Sequence, residues 1–183
     1  MQAESFRTHA DSSRGIILWF TGLSASGKTT LSRAVAGALS NSGRTLLLLD
    51  GDEVRRTLSA DLGFSSTDRQ TNMRRLATLA SEHALAGTTV LVAAISPFRA
   101  LREEFRRSSP VRFLEIFVDA PLPLCEARDP KGLYRRARSG ELSAFTGIDA
   151  PYEVPTQPDV HCRTGIESVE ESCSLVLAAL HQS

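Results

Sequence analysis

Two periodicities alternate along the chain. Unbroken apolar runs, IILWFTG (16–22), RTLLLLD (44–50), TTVLVAAI (88–95) and VRFLEIFVDA (111–120), have no polar face and read as buried strands. Between them, apolar residues recur at helical spacing. KTTLSRAVAGALSNSG (28–43) sets Leu31, Val35 and Leu39 four apart on one face, with Gly43 as the stop. RQTNMRRLATLASEHALAG (69–87) predicts a second long helix, with Asp68 as its cap and Gly87 as its stop. Shorter helices are predicted around DEVRRTLS (52–59), from SPFRALREEFRR (96–107) and over LPLCEARD (122–129). DVHC (159–162) predicts a last short strand. Thr164 and Glu167 have capping-box spacing before a final helix that lines up Ile166, Val169, Cys173, Val176 and Leu180.

Continuous apolar strands alternating with amphipathic helices predict an α/β fold of three layers, a mostly parallel central sheet flanked by helices on both faces. The 183 residues suit one domain, taken as 15–183, preceded by a flexible arm over 1–14. That arm lacks the apolar stretch of a secretory signal. No apolar run approaches the ~18 residues of a membrane span. Three scattered cysteines, Cys125, Cys162 and Cys173, read as buried hydrophobes in a reducing cytoplasm rather than as a disulfide framework. The 21 basic residues balance the 21 acidic ones, so nothing in the bulk charge favours nucleic acid or a membrane surface. Only two of the basic residues are lysines, Lys28 and Lys131, and both sit in segments with candidate chemistry.

TGLSASGKTT (21–30) directly follows the first strand and opens the first helix. Gly22, Gly27, Lys28 and Thr29 fit G-x-x-x-x-G-K-[ST], the phosphate-binding loop. Glycines let backbone amides wrap phosphates closely, the helix presents its positive end, Lys28 reaches the β- and γ-phosphates, and the Thr29 hydroxyl suits Mg²⁺. This adds a P-loop to the α/β fold. The motif implies nucleoside triphosphate binding and leaves kinase, GTPase and motor open.

Asp50 and Asp52 end the second strand, where ligands of such sheets bind. One carboxylate can hold a Mg²⁺-bound water and the other can take a proton from an attacking hydroxyl. Asp52 can equally cap the next helix. Arg55, Phe64, Arg69 and Asn72 follow, a set that suits a planar anionic ligand; each arginine also fits a solvated helix face, and Phe64 a core. Ser96-Pro97 fits a helix start, or Ser96 faces the cleft. RDPKGLYRRARSGEL (128–142) sets Arg128, Lys131, Arg135, Arg136 and Arg138 against Asp129 and Glu141. It reads as a lid over a triphosphate or as an exposed charged loop.

In this order, WFTGLSASGKTT, LDGDEVR, DLGFSSTDRQTNMRR, ISPFRA, IFVDAPLPLCEARDPKGLYRRARSGEL and FTGIDAPYEVP resemble the adenylyl-sulfate kinase family over residues 16–162. The resemblance implies a P-loop kinase-like fold and transfer of the ATP γ-phosphoryl group to the ribose 3′-hydroxyl of adenosine 5′-phosphosulfate (APS), with Mg²⁺, in a cytoplasmic protein of a family that is often homodimeric. It implies ATP contacts from Gly22, Leu23, Ser24, Ala25, Ser26, Gly27, Lys28, Thr29, Thr30, Arg128, Thr146 and Gly147. Arg55, Phe64, Arg69, Asn72, Ile95, Ser96, Lys131, Leu133 and Phe145 would hold APS. Lys28, Asp50 and Asp52 would act at the reacting groups, with Thr29 and, through water, Asp50 at the metal. Ser96 matches a serine reported as phosphorylated in some members. The lid would span about 129–147. Ala25 departs from the glycine of many members.

Overall fold

A computed structural model describes residues 14–182. The arm expected at 1–14 therefore lies outside the described residues except for Arg14. That residue is bound: its guanidinium donates to Pro110 O at 3.2 Å.

Five strands, β1 (Ile16–Thr21), β2 (Leu46–Asp50), β3 (Thr89–Ala93), β4 (Arg112–Val118) and β5 (Val160–Cys162), form one sheet in the order β2-β3-β1-β4-β5. Every pairing is parallel. β1 lies at the centre, with Leu18 opposite Leu91 on one side and Leu114 on the other. Alternation along β1 sends its side chains to two cores. Ile16, Leu18 and Phe20 pack with Leu31 and Val35 of α1 (Lys28–Leu39) and Val176 of α7 (Val169–His181). Ile17 and Trp19 pack with Leu76 and Ala80 of α3 (Ser66–Leu85) and Phe105 of α4 (Arg99–Ser108). Burying both faces explains why these strands carry no polar stripe, and each fully buried large side chain contributes about 1.5–3 kcal/mol. Shorter helices α2 (Gly51–Arg56), α5 (Leu122–Arg128) and α6 (Leu133–Arg138) gather at the carboxyl ends of the strands. There a third cluster joins Cys125, Tyr134 and Phe145. No helix among the described residues is long and apolar enough to cross a membrane.

Four helix starts differ from the sequence reading, each because a nearby or distant partner caps better. α3 begins at Ser66, since Ser65 is its cap: Ser65 Oγ accepts from Asp68 N at 3.1 Å and donates to Asp68 Oδ2 at 2.8 Å. α4 begins after Phe98, so Ser96 is not its cap. Its first amide turns instead to a remote loop, with Arg99 N donating to Glu153 Oε2 at 2.7 Å. α7 begins at Val169 with a Ser168–Glu171 capping box, not one made by Thr164 and Glu167. Ile166 therefore precedes the helix and is 79% exposed, off the face assigned to it. Asp50 rather than Asp52 caps α2, its Oδ1 accepting from Asp52 N at 2.9 Å.

Candidate active site

The loop after β1 turns on glycines whose conformations other residues adopt at a cost. Gly22 has φ +154°, and a Cβ there would lie 2.3 Å from Val118 O. Gly27, at φ +103°, caps α1 without any side-chain hydrogen bond, leaving the first helix amides to face outward. Ala25 stands at φ +58°, the conformation that glycine would take freely. Lys28 is buried at the head of α1, and Nζ donates to Gly22 O at 3.0 Å and Leu23 O at 2.6 Å. Burial lowers its pKa to about 8, against the attraction of Asp52 and Asp50. It still carries its proton at neutral pH.

A cavity of about 1090 Å³ opens beside this loop, across the carboxyl ends of β1, β2 and β3. Ser24, Ala25, Gly27, Lys28, Thr29 and Thr30 line one end. Asp50 and Asp52 lie on its wall in different roles. Asp50 is held twice, by Asp52 N and by Thr29 Oγ1, which donates to Oδ2 at 2.8 Å. Asp52 is 62% exposed at its side chain and pairs with Lys131 of the segment before α6.

Arg55, Phe64, Arg69, Asn72, Ile95 and Ser96 line the other end. Phe64 is 60% exposed and so is no core residue; the Arg55 guanidinium lies 4.2 Å from its ring centroid. Burial lowers the Arg55 pKa, although the group stays a cation at any ordinary pH. Arg69 donates through Nη1 to Thr146 Oγ1 at 3.1 Å. Its Nε, and Oδ1 of Asn72, are buried with no hydrogen-bond partner. Buried polar atoms of this kind are costly unless something meets them.

Ser96 is 3% exposed and left-handed at φ +47°. Its Oγ accepts from Trp19 Nε1 at 3.0 Å, and its carbonyl accepts from Arg102 Nη1 at 2.6 Å. Arg102 is fully buried and also donates to Glu115 Oε1 and Glu153 O, each at 2.6 Å. Trp19 and Arg102 carried no signal in the sequence: an indole in a strand and an arginine in a charged helix are common.

Of the expected site residues, Gly22, Leu23, Ser26 and Gly147 do not line the cavity. They form its frame. Gly22 and Leu23 offer carbonyls to Lys28, Ser26 is fully buried, and a Cβ on Gly147 would touch Leu23 Cδ2 at 3.0 Å. From the expected lid, Lys131, Leu133, Phe145 and Thr146 line the cavity, together with Arg128 at the end of α5 and Arg136 in α6. Arg138 turns away to Glu126 at 2.6 Å. Tyr134, 1% exposed, packs edge-on against Phe145 and donates to Ser24 O at 3.0 Å, so this segment is docked on the loop rather than a free charged surface.

The family description adenylylsulphate kinase matches residues 14–163. The chain is 53% identical over 167 residues to the adenylyl-sulfate kinase of Picosynechococcus sp., covering 91% of this chain and 94% of that one. It is 53% identical over 170 residues to the adenylyl-sulfate kinase of Enterobacter sp., covering 92% and 84%. Among solved structures, it is similar to the Mycobacterium tuberculosis APS kinase CysC in complex with AMPPNP and APS. The TM-score is 0.87 and the identity 45%, over 92% of this chain and 99% of that one.

Proposed function

The chain belongs to the adenylylsulphate kinase family, and from that premise we propose that its cleft takes ATP at the phosphate loop and APS at the facing wall. The γ-phosphoryl group then moves to the ribose 3′-hydroxyl, giving ADP and 3′-phosphoadenosine 5′-phosphosulfate, the activated sulfate of sulfate assimilation. One observation carries this reading. A single cavity joins Ser24, Gly27, Lys28 and Thr29 of the loop, the acids Asp50 and Asp52, and the set Arg55, Phe64, Arg69 and Asn72.

In this reading the loop amides wrap the β- and γ-phosphates, and Lys28 adds a fixed positive charge there. Asp52 is the base, because Asp50 is already committed to Thr29 and the α2 amide. The 3′-oxygen forms its bond to the γ-phosphorus, its proton passes to the Asp52 carboxylate, and the bond to the β–γ bridging oxygen breaks to release ADP. Lys131 leaves Asp52 for the incoming anions as the lid adjusts over them. On the acceptor side, Arg69 and Asn72 use their buried unpartnered atoms, while Phe64 and Arg55 offer a flat apolar face backed by a cation. Thr146 belongs to this side through its bond to Arg69, whereas Leu23, Arg128 and Gly147 stay on the ATP side. Ile95, Ser96, Leu133 and Phe145 complete the acceptor wall. Transfer is direct, with Ser96 a wall rather than a phosphoryl carrier, since its Oγ is held by Trp19.

The hydroxyl of Thr29 and the carboxylate of Asp50 are hard oxygen donors of the kind that suits Mg²⁺. Thr29 and Asp50 would hold Mg²⁺, which would neutralise charge on the phosphate oxygens. A cytoplasmic setting fits the buried free thiols of Cys125, Cys162 and Cys173. A homodimer is the assembly this reading carries, to be checked by sedimentation.

The test offers APS, AMP, gluconate and a nucleoside separately with ATP and Mg²⁺, and measures ADP release. APS should be the substrate that supports turnover. Turnover of gluconate without turnover of APS would overturn the reading.

A further inference from the structure

Five successive carbonyls of the phosphate loop each accept a side-chain hydrogen bond. Gly22 O and Leu23 O accept from Lys28 Nζ. Ser24 O accepts from Tyr134 Oη at 3.0 Å, Ala25 O from Arg128 Nη1 at 3.3 Å, and Ser26 O from Thr164 Oγ1 at 2.6 Å. The last three donors come from separate segments: α6, the end of α5 and the loop after β5. A peptide plane whose oxygen is tied on one side presents its amide on the other. The amides of Ala25 and Gly27, which share planes with Ser24 O and Ser26 O, donate to no group of the described residues, and neither does that of Ser24, whereas Ser26 N donates to Leu23 O at 3.2 Å. The left-handed Ala25 at the centre of the loop lies between two of these ties, which hold a conformation that alanine rarely takes.

We propose that Thr164 and Tyr134 are positioning residues that pre-organise the phosphate loop for a triphosphate. Thr164 ties the loop to the end of β4, since its hydroxyl also approaches Asp119 O at 3.1 Å. Tyr134 ties it to the lid, so lid docking and loop geometry are set together. The two residues act through the direction of the loop amides and touch no reacting atom. The inference rests on the reading that this loop binds ATP.

The probes are AMPPNP binding by calorimetry and the separate KM values for ATP and APS, with a thermal melt for each variant. Thr164→Val keeps the shape and removes the hydroxyl, Thr164→Ser keeps the hydroxyl, and Tyr134→Phe removes only the phenolic oxygen. A lost hydrogen bond of ordinary strength corresponds to a rise of about three- to tenfold in the dissociation constant. Thr164→Val and Tyr134→Phe should each raise the AMPPNP dissociation constant and the KM for ATP by that factor, with the KM for APS nearly unchanged. Thr164→Ser should restore wild-type binding. Wild-type affinity in both deletion variants would overturn the inference. So would Thr164→Ser as weak as Thr164→Val, or an equal rise in both KM values, since either points to packing alone. If Thr164→Val does not fold, Tyr134→Phe decides by the same measures. Failure of the wild type to bind AMPPNP would instead bring down the ATP reading itself.

Discussion

Replacing Arg102 by methionine perturbs the cavity wall at Ser96 from behind. The guanidinium is fully buried and makes three bonds of 2.6 Å, to Glu115 Oε1, Ser96 O and Glu153 O. Methionine fills most of the space and satisfies none of them. Breaking a buried pair by removing one partner costs about 3–5 kcal/mol, chiefly because the other charge stays buried alone. Glu115 keeps one distant contact to the half-exposed Arg106 at 3.5 Å, which places the loss near the lower figure. At roughly 2–4 °C per kcal/mol for a chain of this size, the midpoint of thermal unfolding should fall by about 6–12 °C. The double variant Arg102→Met with Glu115→Gln should recover part of that loss, because no uncompensated charge is left; Ser96 O and Glu153 O remain unpaired, so recovery is incomplete. The activity readout is separate. Ser96 is held at φ +47° partly by this bond, and a conformation costing about 1–3 kcal/mol relaxes once its restraint is gone. The KM for APS should therefore rise more than the KM for ATP. An unchanged melting midpoint in the single variant, or a double variant less stable than the single one, would refute the reasoning.

Other expectations follow from the same geometry. Arg69→Ala should weaken APS use at least tenfold, an order-of-magnitude figure for a charge-assisted contact, with ATP binding little affected; calorimetry with each ligand decides it. Lys28 is lowered to about 8 from 10.5 by burial, so between these pH values the unfolded chain binds the extra proton and stability rises with pH. Relative to Lys28→Met, the wild type should gain about 3 kcal/mol from pH 8 to 10.5 in denaturant melts, and a flat difference would contradict the burial argument. Burial raises the pKa of all three cysteine thiols, that of Cys162 to about 12. A thiol reagent at pH 8 should therefore label the native protein slowly and reach all three thiols only on unfolding; rapid native labelling would show the core to be open.

The central strands β1 and β3 were legible because each is buried along its whole length, which leaves an unbroken apolar run. The phosphate loop was legible because its chemistry sits in one contiguous stretch, strand before and helix after. Choices between two local roles were not. Asp50 and Asp52 are equivalent as letters two apart; Thr29, 21 residues away, claims Asp50 and leaves Asp52 to the lid. Ser96-Pro97 has the form of a helix start, yet Glu153 caps α4 from another loop and frees Ser96 for Trp19. Thr164 and Glu167 have the spacing of a capping box, but Ser168 and Glu171 close the real one, and Thr164 turns to the phosphate loop.

The amino-acid order by itself determined the layered α/β architecture and the triphosphate loop, since burial and close backbone approach leave their mark on neighbouring residues. Only the tertiary structure decided which acid Thr29 holds, what pins Ser96, and which side chains hold the loop's carbonyls. Those roles depend on partners as far as 77 positions apart for Trp19 and Ser96 and 138 for Thr164 and Ser26, and such distances leave no periodicity or spacing to read.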